Sequence, residues 1–180
     1  AFRSECLTVL RQLLEPATDL DGLKSLSQFS CVATANPCPC GFQSLPQCQC
    51  SDKEVDNYQK RFCGALKDRF DIVWRVTDLD AKPIRGDDWE SVAELINKAR
   101  QRQRDRATNG YPLYARQYTW QHLEELAPDY LKKIWTDEKK QRPWRKILQQ
   151  AKIACSMADL QEEQLDQNHY ELARLYVQSL

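Results

Sequence analysis

Residues 29–42 read Phe-Ser-Cys-Val-Ala-Thr-Ala-Asn-Pro-Cys-Pro-Cys-Gly-Phe. The apolar run 29–34 has the length and composition of a short buried β-strand. Asn36 and Pro37 end it, because proline has no backbone N–H to donate to a sheet. In α/β enzymes, polar groups that contact a ligand commonly lie at the carboxyl end of a buried strand. An asparagine that only begins a turn gives the same sequence pattern. This stretch predicts an α/β part with a candidate binding residue at Asn36.

The cysteines that follow form a second candidate site. Cys38 and Cys40 make one C-x-C pair, and Cys48 and Cys50 make another seven residues later. Four thiolates on one proline-rich loop, residues 37–50, are the ligand set of a structural zinc ion. The more specific ribbon spacing is C-x2-C, and a reduced metal-free loop or an oxidised cysteine pair would carry the same residues. Zinc is therefore one of three alternatives for this loop.

Helical periodicity dominates the rest of the chain. Ser51 followed by Glu54 has capping-box spacing and predicts a helix over 51–62. A second short strand is expected over 70–76, and no strand pattern follows residue 80. Further helices are predicted at 2–14, 87–106, 119–126, 128–135, 142–157 and 166–178. We expect an α/β part over residues 1–80 and an all-α part over residues 81–180.

Composition narrows the class of protein. The chain has 180 residues, with 26 basic and 26 acidic side chains, so a strongly basic nucleic-acid module is not the overall picture. The basic segment Lys98–Arg106 is interpreted as a solvated helix face rather than a DNA site. The clustering of half of the eight cysteines in one loop argues against a secreted disulfide scaffold. Because no apolar run approaches about 18 residues and the first residues lack a signal-peptide pattern, a cytoplasmic protein without a membrane partner is expected.

Three arginines are candidates for contact with an anion. Arg69 enters the second predicted strand, where its planar guanidinium could cross a subunit interface to a phosphate; a surface ion pair with its neighbours is the alternative. Arg142 opens the helix predicted over 142–157, and Arg145 lies in its first turn. A cation there opposes the helix dipole, which suggests an anionic partner, although a solvated arginine fits the same pattern.

The order of these segments along the chain resembles a known family. FRSECLTVLRQLLE, FSCVATANPCPCGF, the second C-x-C pair and NYQKRFCGALKDRFDI follow one another as in the YifB/ComM family of magnesium-chelatase-like AAA+ ATPases. The resemblance is clear over residues 2–77 and returns at RKILQQAKIACSMADL and the last helix. It implies the second half of an AAA+ (P-loop NTPase) α/β core followed by a helical lid domain.

The resemblance also implies roles for individual residues. Asn36 matches the sensor-1 position beside the γ-phosphate, and Arg69 matches the arginine finger that acts on the neighbouring subunit's nucleotide. Arg142 matches the sensor-2 arginine, but Lys140-Gln141-Arg142 replaces the family's Ser-x-Arg, so Arg145 shares that assignment. The four clustered cysteines match the family's cysteine insertion. The implied cofactors are ATP and Mg²⁺, and the implied assembly is a bacterial hexameric ring that moves DNA, including branch migration during natural transformation.

The nucleotide-binding motif of such ATPases is missing from these residues. No G-x4-G-K-[ST] motif occurs in the 180 residues. We therefore expect the carboxyl-terminal part of a longer ATPase, inactive by itself. The alternatives are a chelatase or MoxR-like ATPase that remodels protein or inserts metal, and a stand-alone zinc-loop interaction module. The CPCG cluster favours the YifB/ComM resemblance over the first alternative.

Overall fold

The structure is a computed structural model that describes residues 4–14, 19–20, 23–24, 30–62, 64, 66–74 and 88–178. The chain divides into two compact units, Ala1–Phe70 and Asp71–Leu180. The first unit contains α1 (Ser4–Leu13), β1 (Asp19–Leu20), β2 (Leu23–Lys24) and α2 (Asp52–Gln59). The second contains α3 (Trp89–Thr108), α4 (Trp120–Leu126), α5 (Asp129–Glu138), α6 (Trp144–Leu160) and α7 (Gln167–Gln178). Short 3-10 turns lie at Lys60–Phe62, Lys67–Arg69 and Ala115–Gln117.

The capping box predicted for α2 is confirmed. The Ser51 N–H donates to the Glu54 carboxylate at 2.9 Å, and the Glu54 N–H donates back to the Ser51 hydroxyl at 3.4 Å. These two bonds satisfy backbone donors that the first helical turn leaves without partners. Val55 is the buried side chain of α2. The helix is therefore anchored at its amino end directly after the cysteine loop.

The two predicted core strands are not found in the described residues of their segments. Residues 30–34 and 70–74 have no regular secondary structure, while residues 29, 75 and 76 lie outside the described part. A strand needs a hydrogen-bonded neighbour, and within the described chain the only pairing is the antiparallel ladder of β1 with β2. Val32, expected inside a sheet, is 94% exposed. The α/β half of the expected architecture is thus not seen.

The prediction of an all-α second part is confirmed. The five helices described over residues 88–178 lie within three residues of the predicted bounds at each end. Helix α6 is the central helix of the second unit, because it packs against both α3 and α7. It buries small side chains, which let the neighbouring helices approach closely. The core is formed by aromatic and aliphatic residues of several helices, including Tyr118, Leu123, Leu131, Trp135, Ile147, Ala151, Ala154 and Tyr170. Burying a large apolar side chain contributes about 1.5–3 kcal/mol.

A buried ion pair ties α3 to α6. Asp159 is 1% exposed and accepts hydrogen bonds from the Arg106 guanidinium on both carboxylate oxygens. Gln103 donates to the same carboxylate at 3.1 Å, and Arg106 also donates to the Tyr118 hydroxyl at 3.1 Å. Arg102 donates to the carbonyls of residues 162 and 163, beyond the end of α6. The interpretation of Lys98–Arg106 as a solvated face is therefore wrong for Arg102 and Arg106.

Candidate functional site

The four clustered cysteines meet at one point in the first unit. The Sγ atom of Cys40 lies 3.3 Å from that of Cys38 and 3.7 Å from that of Cys48, and Cys38 and Cys48 are 4.0 Å apart. With Cys50 included, the sulfur atoms all lie within 4.8 Å of one another. A tetrahedral zinc site with Zn–S bonds of about 2.3 Å requires sulfur separations of about 3.8 Å. The observed cluster has the dimensions of such a site.

The loop backbone brings the two C-x-C pairs together by successive tight turns. The Gly41 N–H donates to the Cys38 carbonyl at 3.1 Å, and Gly41 has φ of +88°, which a side chain would strain. Two further turns close through the Leu45 N–H to the Phe42 carbonyl and the Cys48 N–H to the Leu45 carbonyl, each at 2.9 Å. The chain therefore reverses between Cys40 and Cys48.

The sulfur atoms influence one another electrostatically. Backbone N–H groups of Phe42 and Gln49 donate to Cys40 and lower its pKa to about 6. The Cys40 N–H donates a hydrogen bond to the Cys50 sulfur, which favours its thiolate. The Cys40 side chain, burial and the Cys38 sulfur disfavour that thiolate more strongly, so the pKa of Cys50 is raised to about 12. At Cys48, a hydrogen bond from the Cys50 N–H lowers the pKa, but burial and the neighbouring Cys40 sulfur raise it by more, so the pKa of Cys48 is raised. Neighbouring thiolates repel, and a divalent cation would remove that repulsion.

This donor set fits a structural metal ion. Four cysteine sulfurs complete a tetrahedral shell and leave no open position for water or substrate. The Cys38 side chain is fully buried, and the other three are half-buried, so the centre is enclosed on one side by the protein. Such a site can hold the loop in shape, but it offers no coordination position for chemistry.

Asn36 lies directly beside this cluster. Its side chain is exposed, and its Nδ2 atom is close enough to Gly41 that a β-carbon there would stand 3.4 Å away. On the other side of the loop, Gln59 Nε2 donates to the carbonyl of Pro37 and to Oε1 of Gln43, both at 3.0 Å. Gln59 was not identified from the sequence, because it lies 22 residues from Pro37 and no local pattern marks the contact.

Arg69 ends the 3-10 turn Lys67–Arg69 in the same unit. The buried side chain of Leu66 precedes the turn, and the Arg69 N–H closes it on the carbonyl of Leu66 at 3.1 Å. Arg69 is half-buried. The sequence predicts a turn here that enters a strand; the structure has the turn, but residues 70–74 form no strand.

Arg142 and Arg145 belong to the second unit and differ in their surroundings. Arg142 donates to Glu138 at 2.6 Å and to Gln150 at 2.7 Å, and its side chain is 16% exposed. Tyr170 donates its hydroxyl to the same Glu138 oxygen at 2.9 Å. Arg145, one residue into α6, is exposed. Arg142 is therefore engaged within the helical unit in this structure.

An open groove of about 590 Å³ runs along α3 in the second unit. It is lined by Glu90, Ala93, Glu94, Asn97, Lys98, Gln101 and Arg104. None of these is a predicted site residue. The groove mixes acidic and basic side chains and gives no indication of a particular ligand.

The first part of the chain has a recognisable relative among protein families. Residues 1–84 match the family model described as magnesium chelatase, subunit ChlI. The matched range includes Asn36, the four-cysteine loop and Arg69 and supports a magnesium-chelatase-like protein, although it covers less than half of the chain. The chain has no significant match among curated proteins or solved structures. Within the described residues, no helix has both the length and the apolar character needed to cross a bilayer.

Proposed function

We propose that this chain supplies the nucleotide-sensing residues and helical lid of a magnesium-chelatase-like AAA+ ATPase of the ComM/YifB type. The family match over residues 1–84 supports the magnesium-chelatase-like part of this proposal, and the ANPCPCGF stretch is the basis for the ComM/YifB type. The proposed parent is a bacterial, cytoplasmic ring, a hexamer, that uses ATP and Mg²⁺ to act on DNA by branch migration or helicase-type movement. Residues 1–80 would complete its α/β core, and residues 81–180 would form its lid.

The proposed residue roles follow from the needs of phosphoryl transfer. Charge spreads over the γ-phosphate oxygens in the transition state, so catalysis depends on positioned donors and cations. Asn36 would orient the attacking water, and Arg69 would reach the nucleotide of the neighbouring subunit. Both are side chains of the matched segment, and the exposed position of Asn36 is compatible with a ligand contact.

For the lid arginine we favour Arg145 over Arg142 as the phosphate contact. Arg142 would have to give up its hydrogen bonds to Glu138 and Gln150 before it could bind a phosphate. Leaving a buried acceptor without its partner costs about 1–3 kcal/mol. Arg145 also makes an interaction of its own, but its side chain is exposed, where such contacts contribute only about 0–1 kcal/mol. It stands at the amino end of the 17-residue helix α6, where the helix dipole also favours an anion.

We propose that the cysteine loop binds one zinc ion with a structural role. Its support is the sulfur geometry described above, which a metal-free reduced loop does not require. Because the four ligands close the coordination shell, zinc would stabilise the segment that carries Asn36 and take no direct part in ATP hydrolysis.

The decisive experiment is Arg69→Ala in the ATPase that carries this chain. An arginine finger acting in trans increases the rate of hydrolysis by a factor of about 10³–10⁵. Turnover should therefore fall by that factor in Arg69→Ala, while nucleotide binding is retained. Mixing Arg69→Ala subunits with phosphate-loop mutants should restore part of the activity, because each mutant supplies what the other lacks at a shared interface. Arg61→Ala is the matched control, since Arg61 is exposed in the same unit.

Unchanged turnover in Arg69→Ala, or a loss that mixing does not restore, would remove the arginine-finger role. The 180-residue chain alone should show no ATP hydrolysis. Stimulation of the ring by a protein substrate and not by branched DNA would favour the chelatase or MoxR-like alternative. A stand-alone zinc-loop module is favoured only by the cysteine geometry, and it predicts zinc binding with no effect of Arg69→Ala on any ATPase.

A further inference from the structure

The cysteine loop and Asn36 are joined by contacts that the candidate roles alone do not require. Asn36 follows residues 30–35, which belong to no helix or strand. A side chain on such a segment has no regular backbone to fix its direction. If Asn36 is to face a ligand reproducibly, other parts of the unit must hold it.

The first such contact comes from the metal loop itself. Gly41 follows the ligand Cys40, and its α-carbon faces the Asn36 amide so closely that a β-carbon would stand 3.4 Å from Nδ2. Cys38, two residues after Asn36, is fully buried and forms the opposite side of the same turn. An ion bound to both Cys38 and Cys40 would therefore fix the turn against which Asn36 rests.

The second contact comes from α2. The two hydrogens of the Gln59 amide are both directed at the loop, one to the carbonyl of Pro37 and one to Oε1 of Gln43. Pro37 directly follows Asn36, and Gln43 lies between the two cysteine pairs. Gln59 thus holds the loop at Pro37, before the first cysteine pair, and at Gln43, between the two pairs, from a helix that is capped at Ser51 and anchored by Val55.

We infer that Gln59 and the metal-bound cysteine loop act together as the device that positions Asn36. Gln59 is a positioning residue, because it acts on Asn36 through the Pro37 carbonyl and the loop. Metal binding and Gln59 support each other, since both restrain the segment between Asn36 and Cys48. This inference rests on the proposed sensor role of Asn36 for its functional meaning, but its structural content can be measured without nucleotide.

The test is to record the side-chain amide NMR signals of Asn36 in the full 180-residue chain with one equivalent of Zn²⁺, after chelation and after zinc is restored. The signals are assigned by their loss in Asn36→Ala. We expect chelation to move the Asn36 signals and zinc to restore them, while those of the exposed Asn97, in the second unit, stay in place. Unchanged Asn36 signals, or failure of the chain to bind zinc, would overturn the inference.

Two matched pairs of variants separate positioning from general destabilisation. Gln59→Ala should shift the Asn36 signals and weaken zinc binding by about 2–10-fold, the effect of losing a hydrogen bond that holds the loop, whereas Asn57→Ala on the same helix should do neither. Gly41→Ala should shift the Asn36 signals, but Gly64→Ala should not. Both glycines have positive φ, +88° and +65°, and only Gly41 has a neighbour within contact distance of an added methyl group.

The result distinguishes this inference from the proposed function. Equal zinc affinity and unmoved Asn36 signals in Gln59→Ala would overturn the positioning role and leave the Arg69 rescue experiment unaffected. If the signals respond as expected, the positioning role stands even if the Arg69 experiment later removes the ATPase role.

Discussion

The two units of this protein are held together in different ways. Among the described residues of the first unit, the buried hydrophobic side chains are Cys38, Val55 and Leu66. In the second unit, a continuous core of aromatic, aliphatic and alanine side chains joins helices α4 to α7 and the turn before them. Burial of apolar side chains is the main favourable term in folding. The described part of the first unit is therefore stabilised much less by apolar burial than the second unit.

This difference indicates which interactions stabilise each unit. Small structures with little apolar core commonly depend on a metal ion or on cross-links. The cysteine loop of the first unit supplies such a ligand set, whereas the second unit relies on packing and on two buried polar networks. The following experiments test this contrast, from the largest expected effect to the smallest.

Metal removal should affect the first unit alone. Chelation, or Cys48→Ser, should reduce the zinc content from about one per chain, the value for a four-ligand site, to near zero. Amide hydrogen exchange should then become faster over residues 36–59 and stay unchanged over 120–178. The exposed Cys6 provides the control, and Cys6→Ser should retain full zinc. Full zinc content in Cys48→Ser would remove this loop as the metal site.

Asp159→Ala should be the most damaging polar change in the second unit. It leaves the half-buried Arg106 guanidinium without its carboxylate and should lower the free energy of unfolding by about 3 kcal/mol, the lower end of the range for breaking a buried ion pair. Urea denaturation followed by helical circular dichroism measures this change. Asp137→Ala, at an exposed position on α5, should stay within about 0.5 kcal/mol. Equal effects of the two substitutions would show that the ion pair adds little.

Arg142→Ala should cost stability where Arg145→Ala does not. Removing Arg142 leaves the buried Gln150 side-chain oxygen without its Arg142 donor, while Glu138 keeps the Tyr170 hydroxyl; this should lower the free energy of unfolding by about 1–3 kcal/mol. Arg145→Ala should remain within about 0.5 kcal/mol but should weaken nucleotide affinity in the assembled ATPase. The opposite pattern, with Arg142 affecting only nucleotide binding, would return the sensor-2 role to Arg142.

The smallest effect is expected at the start of α7. Asp166 accepts a hydrogen bond from the His169 N–H at 2.9 Å, which caps the helix, so Asp166→Ala should lower the free energy of unfolding by about 0.5–2 kcal/mol. This bond, together with the His169 side chain, lowers the pKa of Asp166. The stabilisation by the charged form is therefore present at neutral pH and is lost as the pH falls below the ordinary aspartate range.

Asp166→Asn serves as the comparison, because asparagine also caps a helix but carries no charge. The stability difference between the parent chain and Asp166→Asn should shrink between pH 7 and pH 3 in urea titrations. A difference that stays constant over this interval would mean that the capping group's charge has no influence.

The helices could be predicted from the sequence because their signals are local. The capping box at Ser51 and the apolar periodicity of the second unit each depend on residues a few positions apart. The strands at 29–34 and 70–76 were not found in their described residues, because a strand depends on a partner that its own sequence does not specify. The same limitation applies to Arg102 and Arg106, whose acceptors lie more than fifty residues away.

The same distinction between local patterns and contacts of distant residues applies to the candidate site. The sequence by itself determined the set of four cysteines, the position of Asn36 next to them and the similarity to magnesium-chelatase-like proteins, since these depend on residue identity and short spacing. Only the tertiary structure decided that the four sulfurs meet, that Gln59 holds the loop and that Arg142 is engaged by Glu138 and Gln150. The physical reason is that hydrogen bonds and metal coordination act over about 3 Å in space, whereas the groups that form them are separated by any distance along the chain.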